Sequence, residues 1–182
     1  MGARSLALGF DSRRAVSHNN YAFVDSQNVV ATLRHCGWKL DWRRFQRYLV
    51  EHHGVSRTYL FLPLPPPAPH AYATWWRWGF TPVLRPATAV RRGRPKANVD
   101  VDLVFRAMLA FPEYHQAVIV SGDGDFYTLV KYLLDAGKLR AVISPHRTHC
   151  SALLRHVARE RILCLQRLRR SMEERPTQRA EP

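Results

Sequence analysis

Short apolar segments alternate with segments of helical character along most of this chain, and this alternation is the feature that most restricts its fold. Strands are predicted at residues 21–24, 58–62, 80–84, 117–120 and 139–143. Strands separated by helices form a mostly parallel sheet with helices on both faces. The sequence therefore predicts an α/β domain, and ligands of such domains bind outside the carboxyl ends of the strands.

Length and composition place this pattern in one domain. The chain has 182 residues, of which 46% are hydrophobic, so it can bury a core without disulfides or structural metals. We expect a loosely ordered leader over residues 1–19, the domain over 20–168 and a charged C-terminal tail over 169–182. The part that follows the last predicted strand is expected to be mainly helical.

Three helices carry specific expectations. Asp41 is expected to cap the N-terminus of a helix that Gly54 ends. A helix around residues 75–78 is rich in tryptophan, which favours packing in the core over stacking on nucleic-acid bases. A helix that begins near residue 100 is expected to have an apolar side made of Val101, Val104, Phe105 and Met108.

The charge of the chain predicts a polyanionic partner. Twenty-eight Lys and Arg residues against 14 acids give a net charge of +14, so nucleic acid is the first partner to consider. A basic run over residues 85–96 contains no acid and holds Arg85, Arg91, Arg92, Arg94 and Lys96. We predict that this run contacts a phosphate backbone; the alternative is a solvated loop.

Two absences in the sequence bear on its surroundings. No run of about 18 apolar residues is present, so no membrane partner is expected. The cysteines Cys36, Cys150 and Cys164 are odd in number and form no CxxC pair. This usage is typical of free thiols in a reducing compartment and predicts a cytoplasmic protein.

Carboxylates gather beside predicted strand ends and helix starts: Asp25, Asp100, Asp102, Asp123 and Asp125. Parallel strands end at one edge of a sheet, so Asp25 and Asp123 are expected at the same edge. In a chain this basic, such acids suit a hard divalent cation that activates water and stabilises charge on a phosphoryl group. The alternative is that each Asp only caps a turn or a helix.

Four segments carry motifs in a fixed order. Residues 21–28 hold a hydrophobic strand, an Asp and, three residues later, an Asn; residues 96–103 hold a Lys and an Asp that open a helix. Residues 118–126 contain Ser-Gly-Asp-x-Asp-Phe, and residues 133–142 contain Gly-Lys. The set resembles the NYN domains (DUF88 or LabA-like) of the PIN-like nuclease superfamily. It implies a three-layer α/β/α, Rossmann-like fold with a mostly parallel central sheet.

The resemblance also implies a divalent-metal ribonuclease site with Mg²⁺ or Mn²⁺ as cofactor. By position, the catalytic and metal-binding acids are Asp25, Asp100, Asp123 and Asp125. Asn28 would orient Asp25 or a metal-bound water, and Ser121 would support the cluster through hydrogen bonds. The proposed nucleic-acid contacts are Lys96 and, in the basic run, Arg91, Arg92 and Arg94.

Two residues depart from the family pattern. Ser26 replaces the usual glycine after the first Asp, and Arg106 stands where many relatives carry another Asp. The missing carboxylate weakens the prediction of a full two-metal site. Because Asp102 and Arg106 are four residues apart on one helix, we expect them to pair, which would keep Asp100 available to a metal.

These features predict a metal-dependent ribonuclease that hydrolyses phosphodiester bonds through a metal-activated water, with RNA as partner. The alternative is a catalytically weakened RNA-binding or adaptor module that retains the PIN-like fold. The sequence leaves the oligomeric state open, and a homo-oligomer is compatible with it. A faint similarity to haloacid-dehalogenase phosphatases fails because Gln27 replaces a required Asp. A zinc site built from His146, His149, Cys150 and Cys164 would have no standard spacing.

Overall fold

The structure is a computed structural model that describes residues 19–64, 71–86, 89–91, 94–96 and 99–175. The strands in these ranges are β1 (Asn20–Asp25), β2 (Val55–Leu64), β3 (Phe80–Pro86), β4 (Ala89–Arg91), β5 (Arg94–Lys96), β6 (Ala117–Val120), β7 (Leu139–Ser144) and β8 (Ile162–Cys164). The α-helices are α1 (Ser26–His35), α2 (Trp42–His53), α3 (Ala71–Arg77), α4 (Asp100–Leu109), α5 (Tyr127–Asp135), α6 (Ala152–Ala158) and α7 (Arg169–Met172). Within the same ranges, no helix is long and apolar enough to cross a bilayer.

A six-stranded parallel sheet forms the centre of the domain, with the strand order β3-β2-β1-β6-β7-β8. From β1 the chain moves outward through β2 to β3, then returns to the other side of β1 and continues through β6, β7 and β8. This reversal opens a crevice at the carboxyl ends of β1 and β6, where ligands of such sheets bind. The predicted α/β architecture with a parallel sheet is confirmed.

Two hydrophobic clusters hold helices against the two faces of the sheet. In β1, Tyr21 and Phe23 belong to one cluster, whereas Ala22 and Val24 belong to the other. Successive side chains of a strand point to opposite faces, so a strand buried on both faces contributes side chains to both hydrophobic clusters. Helices α4, α5 and α6 cover the first face, and α1 and α2 cover the second.

The helix α2 begins and ends as the sequence predicts. The Arg44 amide donates to Oδ1 of Asp41 at 3.0 Å, which satisfies one of the unpaired N–H groups of the first turn. Gly54 ends the helix at a φ of 63°, in the left-handed region that side chains disfavour.

The tryptophan-rich segment forms α3 and the turn after it. Trp75 makes edge-to-face contacts with Trp42 and Phe80, and Trp78 packs on Trp75. Trp76 is 58% exposed. Core packing is thus confirmed for Trp75 and Trp78, and Trp76 is the member of the group that faces solvent.

The helix α4 buries a different side from the one predicted. The prediction was wrong for three residues, which are exposed: Val101 (61%), Phe105 (65%) and Met108 (37%). Leu103 and Ala107 are fully buried instead, and Val104 is partly buried beside them. Apolar residues occur on several sides of this short helix, so packing against β1, rather than hydrophobicity, decides which side faces the core.

The segment after β7 is less helical than predicted, because β8 adds a sixth strand at the edge of the sheet. A strand of three residues is too short for alternating hydrophobicity to reveal it. Packed structure also continues past residue 168: α7 lies against α2, and Met172 is buried. Leu40 and Glu173 then form an isolated β-bridge.

The basic run contributes a two-stranded antiparallel hairpin, β4 and β5, rather than only a loop. The backbone of Arg91 pairs with that of Arg94, and Lys96 pairs with Ala89. Arg92 lies outside the described residues, as do the side chains of Arg91, Arg94 and Lys96.

Candidate active site

The crevice between β1 and β6 brings two sequence-distant Asp segments into contact. Parallel pairing sets Val24 opposite Val120, so Asp25 and Ser121 are neighbours at the carboxyl ends of these strands. The Ser121 hydroxyl donates to Oδ2 of Asp25 at 3.2 Å. Its Oγ also accepts from the amide of Asp123 at 3.1 Å. Ser121 therefore links the Asp25 carboxylate to the loop that carries Asp123.

Asn28 forms a second link between the same two segments. Its amide donates to Oδ1 of Asp25 at 3.0 Å, which makes Asp25 the N-cap of α1. Its side-chain Oδ1 accepts from the amide of Gly122 at 2.9 Å. The start of α1 is thus joined to the loop after β6 through side chains on both sides of the crevice.

Asp125 and Asp100 lie where two further helices begin. The Asp125 amide donates to Oδ1 of Asp123 at 3.1 Å, so Asp123 caps the 3-10 helix Gly124–Phe126, and Asp125 itself is exposed. Asp100 is the first residue of α4, which contacts β1 and this 3-10 helix. The alternative that Asp100 caps α4 is wrong, because Val99 occupies the N-cap position without a side-chain capping bond.

The Asp25 carboxyl is held in an unusual electrostatic setting. Burial raises its pKa above the ordinary range, and the negative charge of Asp123 adds to the increase. Hydrogen bonds from the Asn28 amide and the Ser121 hydroxyl act in the opposite direction. An oxygen-only donor set with one buried carboxylate and a second acid nearby suits a hard divalent cation such as Mg²⁺ or Mn²⁺.

Replacing Asp25 with Asn is expected to raise the Tm of the metal-free protein at neutral pH. The folded-state pKa of Asp25 exceeds that of the unfolded chain, about 3.9. Folding therefore takes up a proton between these values, and the wild type loses stability as pH rises through that window. Asn removes the buried charge, so the gain in Tm should be largest above the folded-state pKa and vanish below about pH 4. Thermal unfolding across this range measures it; an equal gain at every pH would contradict the assignment.

Arg106 does not pair with Asp102 as the spacing predicts. Asp102 instead binds Arg85, from the end of β3, with Nη1 at 2.5 Å from Oδ1. The Arg106 guanidinium lies 5.5 Å from the centre of the Tyr59 ring. The expected pair was wrong because a partner from another strand and an aromatic face from β2 compete with the partner in the same helix.

A group of arginines that the sequence reasoning missed lines a cavity of about 190 Å³: Arg147, Arg155, Arg159 and Arg167. The cavity wall also contains Ser144 and Cys150. A Cβ placed on Gly122 would lie 3.1 Å from Oγ of Ser144 and 3.5 Å from Cα of Cys150, so this cavity adjoins the Asp123 loop. The arginines are spread over several elements, and only the high arginine content of residues 147–167 signals them in the sequence.

Comparisons with known proteins identify the family and the fold. The family model of the NYN domain matches residues 21–164. A crystal structure of a Vibrio parahaemolyticus protein of unknown function superposes with a TM-score of 0.70 and 22% sequence identity. The match covers 88% of this chain and 99% of that chain, and at this identity it supports the fold alone. No curated protein sequence matches this chain significantly.

Proposed function

The chain belongs to the NYN domain family, and on that premise we propose that it is a divalent-metal-dependent ribonuclease that hydrolyses phosphodiester bonds. NYN domains are typically nucleases within the PIN-like superfamily. The observation that carries the proposal is the hydrogen-bonded arrangement of Asp25, Ser121 and Asp123 at the crevice between β1 and β6. It supports a metal site at the position where ligands of parallel sheets bind.

The residues proposed to hold the metal are Asp25, Asp100, Asp123 and Asp125. When bound, Mg²⁺ or Mn²⁺ supplies charge stabilisation to a phosphoryl group and lowers the pKa of water. Within the described part of the chain, no three of these carboxylates bring oxygen atoms within 4.8 Å of one another. Mg²⁺ usually retains several waters and binds one or two carboxylates directly, so this spacing is compatible with the proposal.

Asn28 and Ser121 are positioning residues in this proposal. Asn28 ties the start of α1 to Gly122, and Ser121 ties Asp25 to the Asp123 loop. These bonds keep the Asp25 carboxylate in one orientation and favour its ionised form. An ionised, oriented carboxylate is what a divalent cation requires.

The nucleic-acid substrate is proposed from charge. The net charge of +14 favours a polyanion, and the arginine-lined cavity lies next to the Asp123 loop. All four of these arginines are exposed. Guanidinium groups bind phosphate in a bidentate manner, so the cavity is a candidate subsite for a phosphate of the RNA chain.

The double variant Arg147→Ala with Arg167→Ala is expected to weaken RNA binding and reduce its dependence on salt. Each contact with a single-stranded phosphate contributes about 0.7 to the slope of log K against log salt, so the slope should fall by roughly 1.4. Fluorescence anisotropy over a salt series measures this. The matched control, Arg47→Ala with Arg170→Ala, removes the same charge from exposed positions on α2 and α7. If both variants lowered the salt slope equally, RNA binding would depend on net charge alone and not on the arginine-lined cavity.

The basic run is tested in the same way. Replacing Arg91, Arg92 and Arg94 with Ala should lower both the affinity and the salt slope if the run contacts phosphates. An unchanged affinity and slope would show that the run is a solvated segment without a role in binding.

The test of the enzymatic proposal is a cleavage assay with the purified full chain on labelled single-stranded RNA and on DNA of the same sequence. Cleavage of RNA is expected with Mg²⁺ or Mn²⁺ and should stop in EDTA. Cleavage of DNA alone would overturn the proposed substrate. Cleavage that persists in EDTA would overturn the proposed metal.

A catalytically weakened RNA-binding module is the second candidate function. The observation that favours it is Arg106, which stands where many family members carry an additional acid and lies over the Tyr59 ring. Salt-dependent RNA binding without metal-dependent cleavage would identify this function. If Arg106→Asp then created cleavage, the missing carboxylate would be the cause.

The cellular setting is proposed to be the cytoplasm. Cys36, Cys150 and Cys164 are all free thiols, and Cys150 is buried. Free cysteines are typical of reducing compartments.

A further inference from the structure

A second group of metal-ligating side chains lies apart from the acids. Cys36 follows the last residue of α1, and His146 and His149 lie in the loop after β7. One ligand atom from each, the cysteine sulfur and an imidazole nitrogen of each histidine, lies within 4.8 Å of the others. In the described ranges, this is the only set of three His, Cys, Asp or Glu residues so arranged.

The separation of the two imidazole nitrogens in this thiol–imidazole cluster is close to that in a formed metal site. The Nδ1 atoms of His146 and His149 are 3.5 Å apart. Two imidazole nitrogens at about 2.0–2.1 Å from a tetrahedral zinc ion are separated by roughly 3.3–3.4 Å. The two nitrogens are thus near coordinating separation, and a bound ion would replace the Thr148 hydroxyl, which lies 2.9 Å from Nδ1 of His146 and 3.2 Å from Nδ1 of His149.

We propose that Cys36, His146 and His149 form a binding site for a thiophilic transition-metal ion, with Zn²⁺ as the expected occupant. Thiolate and imidazole ligands select zinc over Mg²⁺ and Mn²⁺, which prefer oxygen. The Cys36 thiol releases its proton to solvent as the metal–sulfur bond forms, and no electron transfer is involved. The site is therefore chemically distinct from the acidic site at the crevice.

Two features beside the cluster support a bound cation. The ring of His35 lies 5.2 Å from that of His149, centre to centre, so a third imidazole lies beside the cluster. Cys36 also lies at the C-terminal end of α1, where the helix dipole favours positive charge. Three protein ligands with a water in the fourth position form a standard zinc coordination.

Metal binding here would join two segments that also frame the acidic crevice. The cluster connects the C-terminal end of α1, whose first turn contains Asn28, to the loop after β7. In that loop, the carbonyl oxygen of His149 lies so close to Gly122 that a Cβ there would be 2.7 Å away. A metal at the cluster would thus hold α1 and the loop together beside the Asp123 segment.

The cluster differs from the zinc pattern considered from the sequence. His146 and His149 belong to it, but Cys36 replaces Cys150 and Cys164. Cys150 and Cys164 line the arginine cavity instead. Cys36 lies 110 residues before His146 in the chain, and therefore no local spacing could reveal it.

The test is metal binding by untagged, metal-free full chain in saturating Mg²⁺, which occupies oxygen-ligand sites. Titration with Co²⁺, a spectroscopic substitute for zinc, should produce a thiolate-to-cobalt charge-transfer band that saturates at one equivalent and disappears when Zn²⁺ is added. Competition with a chromophoric chelator gives the Zn²⁺ affinity. Cys36→Ser should abolish the band. His146→Ala or His149→Ala should weaken Zn²⁺ binding at least about 100-fold, because mutating a residue that only supports a metal ligand already lowers metal affinity 10–100-fold.

The matched controls are Cys164→Ser and His156→Ala, which alter a cysteine and a histidine outside the cluster. Both should retain the band and the Zn²⁺ affinity of the wild type. Circular dichroism of each variant shows whether it is folded. The proposal is overturned if the wild type gives no stoichiometric thiolate band, or if a folded Cys36→Ser variant retains it. Neither outcome depends on whether the chain cleaves RNA.

Discussion

Replacing Asp123 with Asn is expected to reduce metal-dependent RNA cleavage at least about a hundredfold. Replacing a residue that only supports a metal ligand typically lowers metal affinity or activity 10–100-fold, so replacing a proposed ligand should lower activity further. A hundredfold loss corresponds to about 2.7 kcal/mol of transition-state stabilisation. Asn can still accept the hydrogen bond from the Asp125 amide through its side-chain oxygen, so the cap of the 3-10 helix is retained. Single-turnover cleavage at saturating metal measures the effect.

The control for this substitution is Asp135→Asn. Asp135 is an exposed acid in α5 that pairs with Lys131, at 60% exposure of its side chain. An exposed pair of this kind contributes little to stability, so both folding and cleavage should be unchanged. Comparable losses in the two variants would show that Asp123 acts only through net charge or folding, and the proposed site would be wrong.

Replacing Ser121 with Ala is expected to lower cleavage by about 10–100-fold and to move the acidic limb of the pH–rate profile to higher pH. The Ser121 hydroxyl donates to Asp25 and holds its pKa down against the effect of burial. Without that donor the pKa of Asp25 rises further, so the carboxyl is ionised only at higher pH. A pH–rate profile of kcat/KM measures both effects. A loss of rate without a displaced limb would assign Ser121 a purely structural role.

Thr58→Val is the matched control, because it also removes a fully buried hydroxyl from the sheet. Within the described residues, Oγ1 of Thr58 has no hydrogen-bond partner. Removing an unsatisfied buried hydroxyl relieves a cost of about 1–3 kcal/mol, so the free energy of unfolding should stay the same or rise. Its cleavage rate and pH profile should match those of the wild type.

The sequence alone was enough to predict the architecture. Buried strands such as Ala117–Val120 leave a strong local signal, because every residue is apolar and the run is bounded by turn residues. Alternation with helices then dictates a parallel sheet, and parallel strands place their carboxyl ends at one edge. That reasoning put Asp25 and Asp123 at a common edge, and the structure links both to Ser121.

Contacts between elements were decided by the tertiary structure. Asp102 binds Arg85 from another strand instead of Arg106 in its own helix, although helical spacing allows the second pair. The helix α4 turns Leu103 to the core and leaves Phe105 exposed, because packing against the sheet sets its rotation.

The thiol–imidazole cluster depends on the fold in the same way. Cys36 meets His146 and His149 only because α1 ends beside the loop after β7. Local patterns in a sequence report periodicity, capping and strand ends, which depend on neighbouring residues. Which side chains meet across the fold depends instead on how helices and loops pack on the sheet. The sequence therefore determined the parallel sheet apart from its short edge strand β8, and the edge that Asp25 and Asp123 share. The tertiary structure decided the partners of Arg85, Arg106 and Cys36.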